Sequence, residues 1–439
     1  MEPRRGRGVT VVVHRASVVL SPGSPALTDG AVAVAGGRIV AVGPADEVLT
    51  AAGPDAEIHE WDGALTPGLV NAHTHLQYSD MAAVGLAAHD GFESWMSAFM
   101  ELYPLPRDWG TSAAAGAALA LRSGTTAVAE IVTDAAAGSA VHDAGLHGIA
   151  FWEVLGWTER AWNVDGERTV RAQLAALPTP PATGLSPHAI YSLDTAVLRD
   201  LSVLARTLGV RQHIHAAESA WEDAYVRSGT GDLAERWRAN GRGEFALLRD
   251  GGVGTGVIRY LDDFGALTPS THLAHGIYVD ADDRALLRER GVSVALCPRS
   301  NAVIGLDPAP VAAYLREGNA IAVGTDSLSS SPSLSPWHDV TALHDIARAQ
   351  GYADDDLHAR LFAAATLGGA HALGMDADTG ALRVGARADL AVFPVASDAP
   401  RDALAELVEA GPAEATLTVV GGRVRWATTT AHERITAHV

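Results

Sequence analysis

Eight short apolar stretches of β character recur along the middle of this chain, and Ala/Leu/Arg-rich segments of helical period lie between most of them. The β candidates are residues 68–72, 125–131, 148–153, 183–188, 212–216, 271–275, 293–297 and 321–324. Helical patterns include 111–123, 194–208, 281–290 and 311–317. Consecutive parallel strands need a long crossover, usually a helix, so this alternation predicts a parallel sheet. Eight units over roughly 300 residues predict an α/β fold of the (β/α)8 TIM-barrel type. A doubly wound open sheet would alternate in the same way, so the choice rests on where the polar residues fall.

They fall at the C-terminal ends of the strand candidates. His73 and His75 end the first, and His188 the fourth. The stretch from Gln212 through His213 and His215 to Glu218 ends the fifth, and His275 ends the sixth. Cys297-Pro298-Arg299-Ser300-Asn301 ends the seventh and Gly324-Thr325-Asp326 the eighth. Barrel enzymes keep their chemistry at this end of the strands. Residues i and i+2 of a strand share a face, so His73 and His75 project together, as two imidazole ligands of one metal must. The same geometry puts His213 and His215 on one face and does not choose between them. Any one of these residues could be an ordinary buried polar group; their recurrence at one end of successive strands is what points to a metal site.

The two ends of the chain have another texture. Short β runs at 9–13, 18–20, 31–34 and 39–42 include a hairpin turn at Gly36-Gly37, and runs at 390–393, 415–420 and 423–427 include a like turn at Gly421-Gly422. Neither end has enough strands for a sandwich alone, so both are expected to form one composite β-sandwich domain. The expected division is 1–66 and 373–439 for that domain and 67–372 for the barrel.

Composition narrows the chemistry. The sequence contains no lysine, which removes Schiff-base catalysis, the Walker lysine and any metal pair bridged by a modified lysine. Its single cysteine, Cys297, excludes intrachain disulfides and multi-thiolate zinc sites. A formal charge of −20 argues against nucleic-acid or anionic-membrane binding. No apolar run reaches the roughly 18 residues of a membrane span. Met1 to Arg7 is basic, but the apolar run after it is too short for a signal peptide, so a ragged tail on a cytoplasmic protein is expected.

Several stretches together resemble the amidohydrolase superfamily: Pro67-Gly68-Leu69-Val70-Asn71-Ala72-His73-Thr74-His75, Ser186-Pro187-His188, His215-Ala216-Ala217-Glu218, Ala274-His275, Pro298-Arg299-Ser300-Asn301 and Gly324-Thr325-Asp326. The resemblance is nearest to the branch of S-adenosylhomocysteine/adenosine, guanine and aminofutalosine deaminases and triazine hydrolases. It implies one divalent ion, zinc before iron or manganese, held by His73, His75, His215 and Asp326. It also implies Glu218 as proton shuttle and His275 as the group that orients the attacking hydroxide. In that scheme water activated by the metal attacks an sp2 carbon bearing an amino group, and Glu218 moves protons to the ring nitrogen and to departing ammonia. The absent lysine fits a single metal ion. Glu130 could support a second, although a hydrogen-bonded carboxylate is the simpler reading.

Substrate cues are fewer. Glu93 lies where nucleoside-acting relatives hold ribose hydroxyls, His188 would bond the purine, and Trp95 is a candidate to stack on a ring. Arg299, with its neighbours Ser300 and Asn301, points to an anion near the site. Together with the resemblance of the Tyr78 to Trp95 stretch to aminofutalosine deaminases, these cues give 6-amino-6-deoxyfutalosine, in menaquinone synthesis, as the expected small-molecule substrate. Adenosine, S-adenosylhomocysteine, guanine and triazines are the alternatives, and a scaffold without activity is a remote one. Dimers are common among such relatives.

Overall fold

The computed structural model of the protein describes residues 10–436. The expected N-terminal tail, and the start of the first β run at Val9, lie outside the described residues.

The barrel is built from β5 (Leu69–Thr74), β6 (Thr125–Val132), β7 (His147–Val154), β8 (Ala182–Pro187), β9 (Gln212–Ala216), β10 (Thr271–His275), β11 (Ser293–Leu296) and β12 (Ile321–Val323). They line up in chain order, each hydrogen-bonded in parallel to the next. The ring closes where Thr74 bridges Asp326 and the N–H groups of Thr325 and Asp326 donate to His73 O at 3.1 and 3.0 Å. Strands covered on both faces carry continuous apolar runs, and every residue of β5, β6, β9, β10 and β11 is buried. The helices between them start where local chemistry dictates. Asp108 caps the Trp109–Arg122 helix through Thr111 N–H at 3.0 Å, and Asp280 and Asp283 form a capping box on Ala281–Arg290.

Gly148 in β7 shows how closely the strands approach. Its φ is +114°, and a Cβ there would lie 2.0 Å from Val128 O of β6. Only glycine fits.

The remaining strands are β1 (Val12–Val19), β2 (Leu27–Ala35), β3 (Arg38–Pro44), β4 (Glu57–Pro67), β13 (Leu390–Phe393), β14 (Leu417–Val420) and β15 (Arg423–Ala427). They join edge to edge in one seven-stranded sheet, in the order β15-β14-β13-β4-β1-β2-β3. Both termini build this small domain, as expected. Val12 and Val13 of the first run and Val18 and Val19 of the second prove to lie on one strand, because His14 and Arg15 continue it. Buried His14 is accommodated by Trp61 Nε1–H, which donates to its Nδ1 at 3.2 Å. Val32, Val34 and Ile39 share an apolar cluster with Leu390, Leu417 and Val419, so the far strands of the sheet close over one core. The two Gly-Gly hairpins meet there: a Cβ on Gly37 would lie 2.9 Å from Gly421 O, and one on Gly422 2.9 Å from Gly37 Cα. β4 runs almost directly into β5, so the domain delivers His73 and His75 to the barrel. Among the described residues, no helix is long and apolar enough to cross a membrane.

Candidate metal centre

Parallel register sets the depth of each histidine. His213 pairs level with His272, and His215 with Ala274, so His215 stands two residues nearer the C-terminal end of the barrel than His213. His73 and His75, at the end of β5, meet His215 across the interior with ring centroids 4.8 and 5.4 Å apart. His75 Nε2 lies 3.3 Å from His215 Nε2. Asp326 Oδ1 lies 3.6 Å from Nε2 of both His73 and His75. Ligands at the usual zinc distance of about 2.0–2.1 Å in a tetrahedron stand roughly 3.3–3.4 Å from one another, so this spacing fits one divalent ion.

The outer ring atoms agree. His73 Nδ1 is 3.1 Å from His213 Nε2, and His215 Nδ1 donates to His188 O at 3.0 Å. With Nδ1 engaged, each imidazole turns Nε2 inward, and His73 Nε2 is buried without a hydrogen-bond partner among the described residues. Burial, with repulsion from the other imidazoles, pushes His73 well below the ordinary histidine range, and burial is the main cause that takes His75 down to about 3. Neutral rings are the form that coordinates. Burial would raise Asp326, but His75, His275 and the hydroxyls of Ser300 and Ser330 outweigh it and hold this carboxyl below its usual range. Those hydroxyls donate to Oδ2 at 2.7 and 2.8 Å, leaving Oδ1 toward the histidines.

Glu218 follows β9 after Ala217, whose φ is +53°. Its Oε1 lies 3.6 Å from His275 Nε2, and Tyr191 Oη–H reaches Oε2 at 3.5 Å. Burial lifts its carboxyl to about 7. Ala217, His275 and Asp326 are three of the four non-glycine residues with positive φ among those described, so backbone strain is concentrated at this centre. Asn301 Oδ1 stands 3.3 Å from His275 Nδ1 and orients that ring.

The expected substrate residues are distributed differently. Ser300 and Asn301 join the cluster by bonding Asp326 and His275 rather than by lining open space. His188 lies beside the centre, its ring 4.8 Å from that of His215 and its Nδ1 2.9 Å from Ser192 Oγ. Trp95 is half-buried on the Phe92–Leu102 helix and donates to Ser329 O at 2.8 Å. Glu93 does not join the cluster: it is half exposed, with Arg236 at 3.6 Å. Nor does Arg299, whose guanidinium donates to Ser333 Oγ at 2.6 Å while its backbone N–H donates to Asp339. Glu130 is occupied by Leu76 N–H at 2.9 and 3.1 Å, the hydrogen-bonded reading.

Three participants escaped the reading of the sequence. Glu153, at the end of β7, is buried close to His75 and His215. A lone carboxylate at the C-terminal end of an apolar strand was the signal for it. Glu222 accepts Glu218 N–H at 2.9 Å, and its i+4 spacing on a new helix was the clue. Ser330 lies in a serine-rich loop with no periodicity to mark it.

Comparison with known proteins gives the following. Residues 64–425 match the model of the "Amidohydrolase family", and residues 30–52 match an "Imidazolonepropionase-like composite domain, bacteria". A 5-methylthioadenosine/S-adenosylhomocysteine deaminase of Nitratidesulfovibrio vulgaris is 31% identical over 422 residues, covering 91% of this chain and 87% of the relative. One from Natronomonas pharaonis is 31% identical over 414 residues, covering 88% and 86%. Among solved structures, Helicobacter pylori aminofutalosine deaminase with methylthio-coformycin aligns with a TM-score of 0.81 at 20% identity, over 94% of this chain and 99% of that one. A zinc-bound adenosine deaminase from Xanthomonas campestris aligns with a TM-score of 0.78 at 24% identity, over 97% and 98%. At these identities the two structures speak for the shared fold alone.

Proposed function

The chain belongs to the amidohydrolase family, and from that premise we propose that it is a metal-dependent hydrolytic deaminase of 6-aminopurine nucleosides. The observation that carries this reading is the placement of the Glu218 carboxyl beside His275, next to the cluster of His73, His75, His215 and Asp326. Those four residues would hold the ion. When bound, a divalent metal ion supplies a water acidic enough to act as nucleophile near neutral pH. Asp326 Oδ1, its partner oxygen held by two serines, is the acceptor for the proton that this water gives up. Glu218, with a pKa near 7, holds a proton for the ring nitrogen next to the attacked carbon and can pass one to departing ammonia. His275, its Nδ1–H held by Asn301 Oδ1, presents Nε2 as the acceptor that orients the O–H of the incoming oxygen. One water is consumed and one ammonia released: the C–O bond forms first, as the ring nitrogen takes a proton, and the C–N bond then breaks as ammonia leaves.

Within this class, the Tyr78 to Trp95 stretch supports 6-amino-6-deoxyfutalosine. A second reading, 5′-methylthioadenosine or S-adenosylhomocysteine, is supported by the names of the 31%-identical relatives and by the engagement of Arg299 with Ser333. The test is ammonia release from these nucleosides, adenosine and guanine, with and without chelator. Activity on a 6-aminopurine nucleoside, lost on chelation and restored by zinc, is expected. Activity confined to guanine, or a metal-free protein indifferent to chelator, would overturn the proposal.

A further inference from the structure

Among the described residues, Glu153 is the acidic side chain at the centre that the scheme above leaves without a task. It is the penultimate residue of β7, and only 6% of it is exposed. One of its oxygens lies within 4.8 Å of ring nitrogens of both His75 and His215. Its Oε1 has no hydrogen-bond partner among the described residues. Tyr78, stacked on His75 with centroids 5.4 Å apart, walls the same side.

A buried acceptor left unbonded is unfavourable, and native structures match nearly all such atoms. The four groups expected to hold the metal already make a tetrahedral set, so coordination does not require Glu153. What remains on its open side is the reacting end of the substrate. In the deaminase reading that end carries an N–H donor group, the amine that is lost.

We propose that Glu153 is a specificity residue whose Oε1 accepts a hydrogen bond from the substrate's amino group, so that the site selects an amine over a halide or ether at the attacked carbon. The inference rests on the deaminase reading and names the feature of the substrate that the site recognises. Glu153 orients the amine.

The experiment compares adenosine or another 6-aminopurine nucleoside that the wild type turns over with 6-chloropurine riboside, in the wild type, E153Q and E153L. Metal stoichiometry is measured on each purified protein. Expected in E153L is a fall in kcat/KM of at least about tenfold for the amino substrate, against less than about threefold for the chloro substrate, because a site built to accept from a donor discriminates by that contact, and E153Q, whose amide oxygen still accepts, should fall less than E153L. Metal content should be unchanged. An equal fall on both substrates, no fall, or a loss of metal would overturn the inference, the last by making Glu153 a ligand. A wild type inert toward every 6-aminopurine nucleoside would overturn the deaminase reading and this inference with it. An active wild type whose variants fall equally on both substrates, or not at all, would overturn this inference alone.

Discussion

His73 Nδ1 lies 3.1 Å from His213 Nε2, and this contact decides which nitrogen of His73 faces Asp326. The two histidines differ in sequence surroundings but meet inside the barrel because β5 and β9 carry them at compatible depths. For Nε2 of His73 to be free to coordinate, its Nδ1–H must donate to His213. Replacing His213 by alanine is expected to weaken metal binding about 10–100-fold, the usual range for such an outer partner, without unfolding the chain. Metal retained after dialysis against graded chelator, read beside the circular dichroism spectrum, checks this.

Glu218→Gln and Asp326→Ala should fail in different ways. Glutamine at 218 keeps the shape and loses the titrating proton, so kcat is expected to fall by about 10²–10⁴ with metal content intact. Alanine at 326 removes a candidate ligand, so both metal and activity should be lost. Turnover at the wild-type rate in either variant would refute the assigned role.

Ser300 and Ser330 donate to the same oxygen of Asp326. A hydrogen bond to a charged group contributes about 1.5–3 kcal/mol, so each single alanine variant should lose roughly tenfold or more in kcat/KM. The double variant, which leaves Oδ2 with neither hydroxyl, should lose more than the product of the two. A double-mutant cycle measures that excess.

Gly148→Ala should destabilise the fold by about 3 kcal/mol or more, since it adds both a positive-φ penalty and a clash with Val128 O. Gly209 has φ +66° but open space around its Cα, so Gly209→Ala should cost only about 1–2 kcal/mol. Equilibrium denaturation of the two variants separates clash from dihedral strain.

Glu317 gives a pH test away from the metal centre. Hydrogen bonds from Arg284, reinforced by Arg288 and only partly opposed by burial, hold its carboxyl below the usual range. A carboxyl whose pKa is depressed on folding stabilises above its unfolded value, about 4.3, and that contribution fades as the pH falls through the folded value. Glu317→Gln should therefore lower Tm by about 1–2 °C at pH 7, in keeping with a partly exposed network, and the gap to wild type should shrink below about pH 4. Thermal melts across that window decide it.

The strand ends were the most legible part of the molecule. A short apolar run terminates visibly in sequence, and a barrel gathers such ends at one mouth, so position singled out these strand ends, while the family resemblance chose His215 over His213 and supplied the roles of Glu218, His275 and Asp326. Side-chain direction outside the strands was not legible. Glu93 sits on a helix whose approach to the barrel is set by aromatic packing around Phe92, Trp95 and Trp221, and the result pairs it with Arg236. Arg299 occupies the first turn of the Pro298–Ile304 helix, where Ser300 and Asn301 face Asp326 and His275 while Arg299 turns to Ser333. Neighbouring helix positions point about 100° apart, so a motif that fixes two of them leaves the third to the tertiary path.

The pairing of Pro67 in β4 with Leu390 in β13 also bears on how the molecule is made. At a synthesis rate of about 10 residues per second, β4 leaves the ribosome roughly half a minute before its partner strand exists. Throughout that interval an apolar edge is exposed at the root of the strand that carries His73 and His75. The small domain is therefore completed last, when the second hairpin reaches the edge that β4 has kept open.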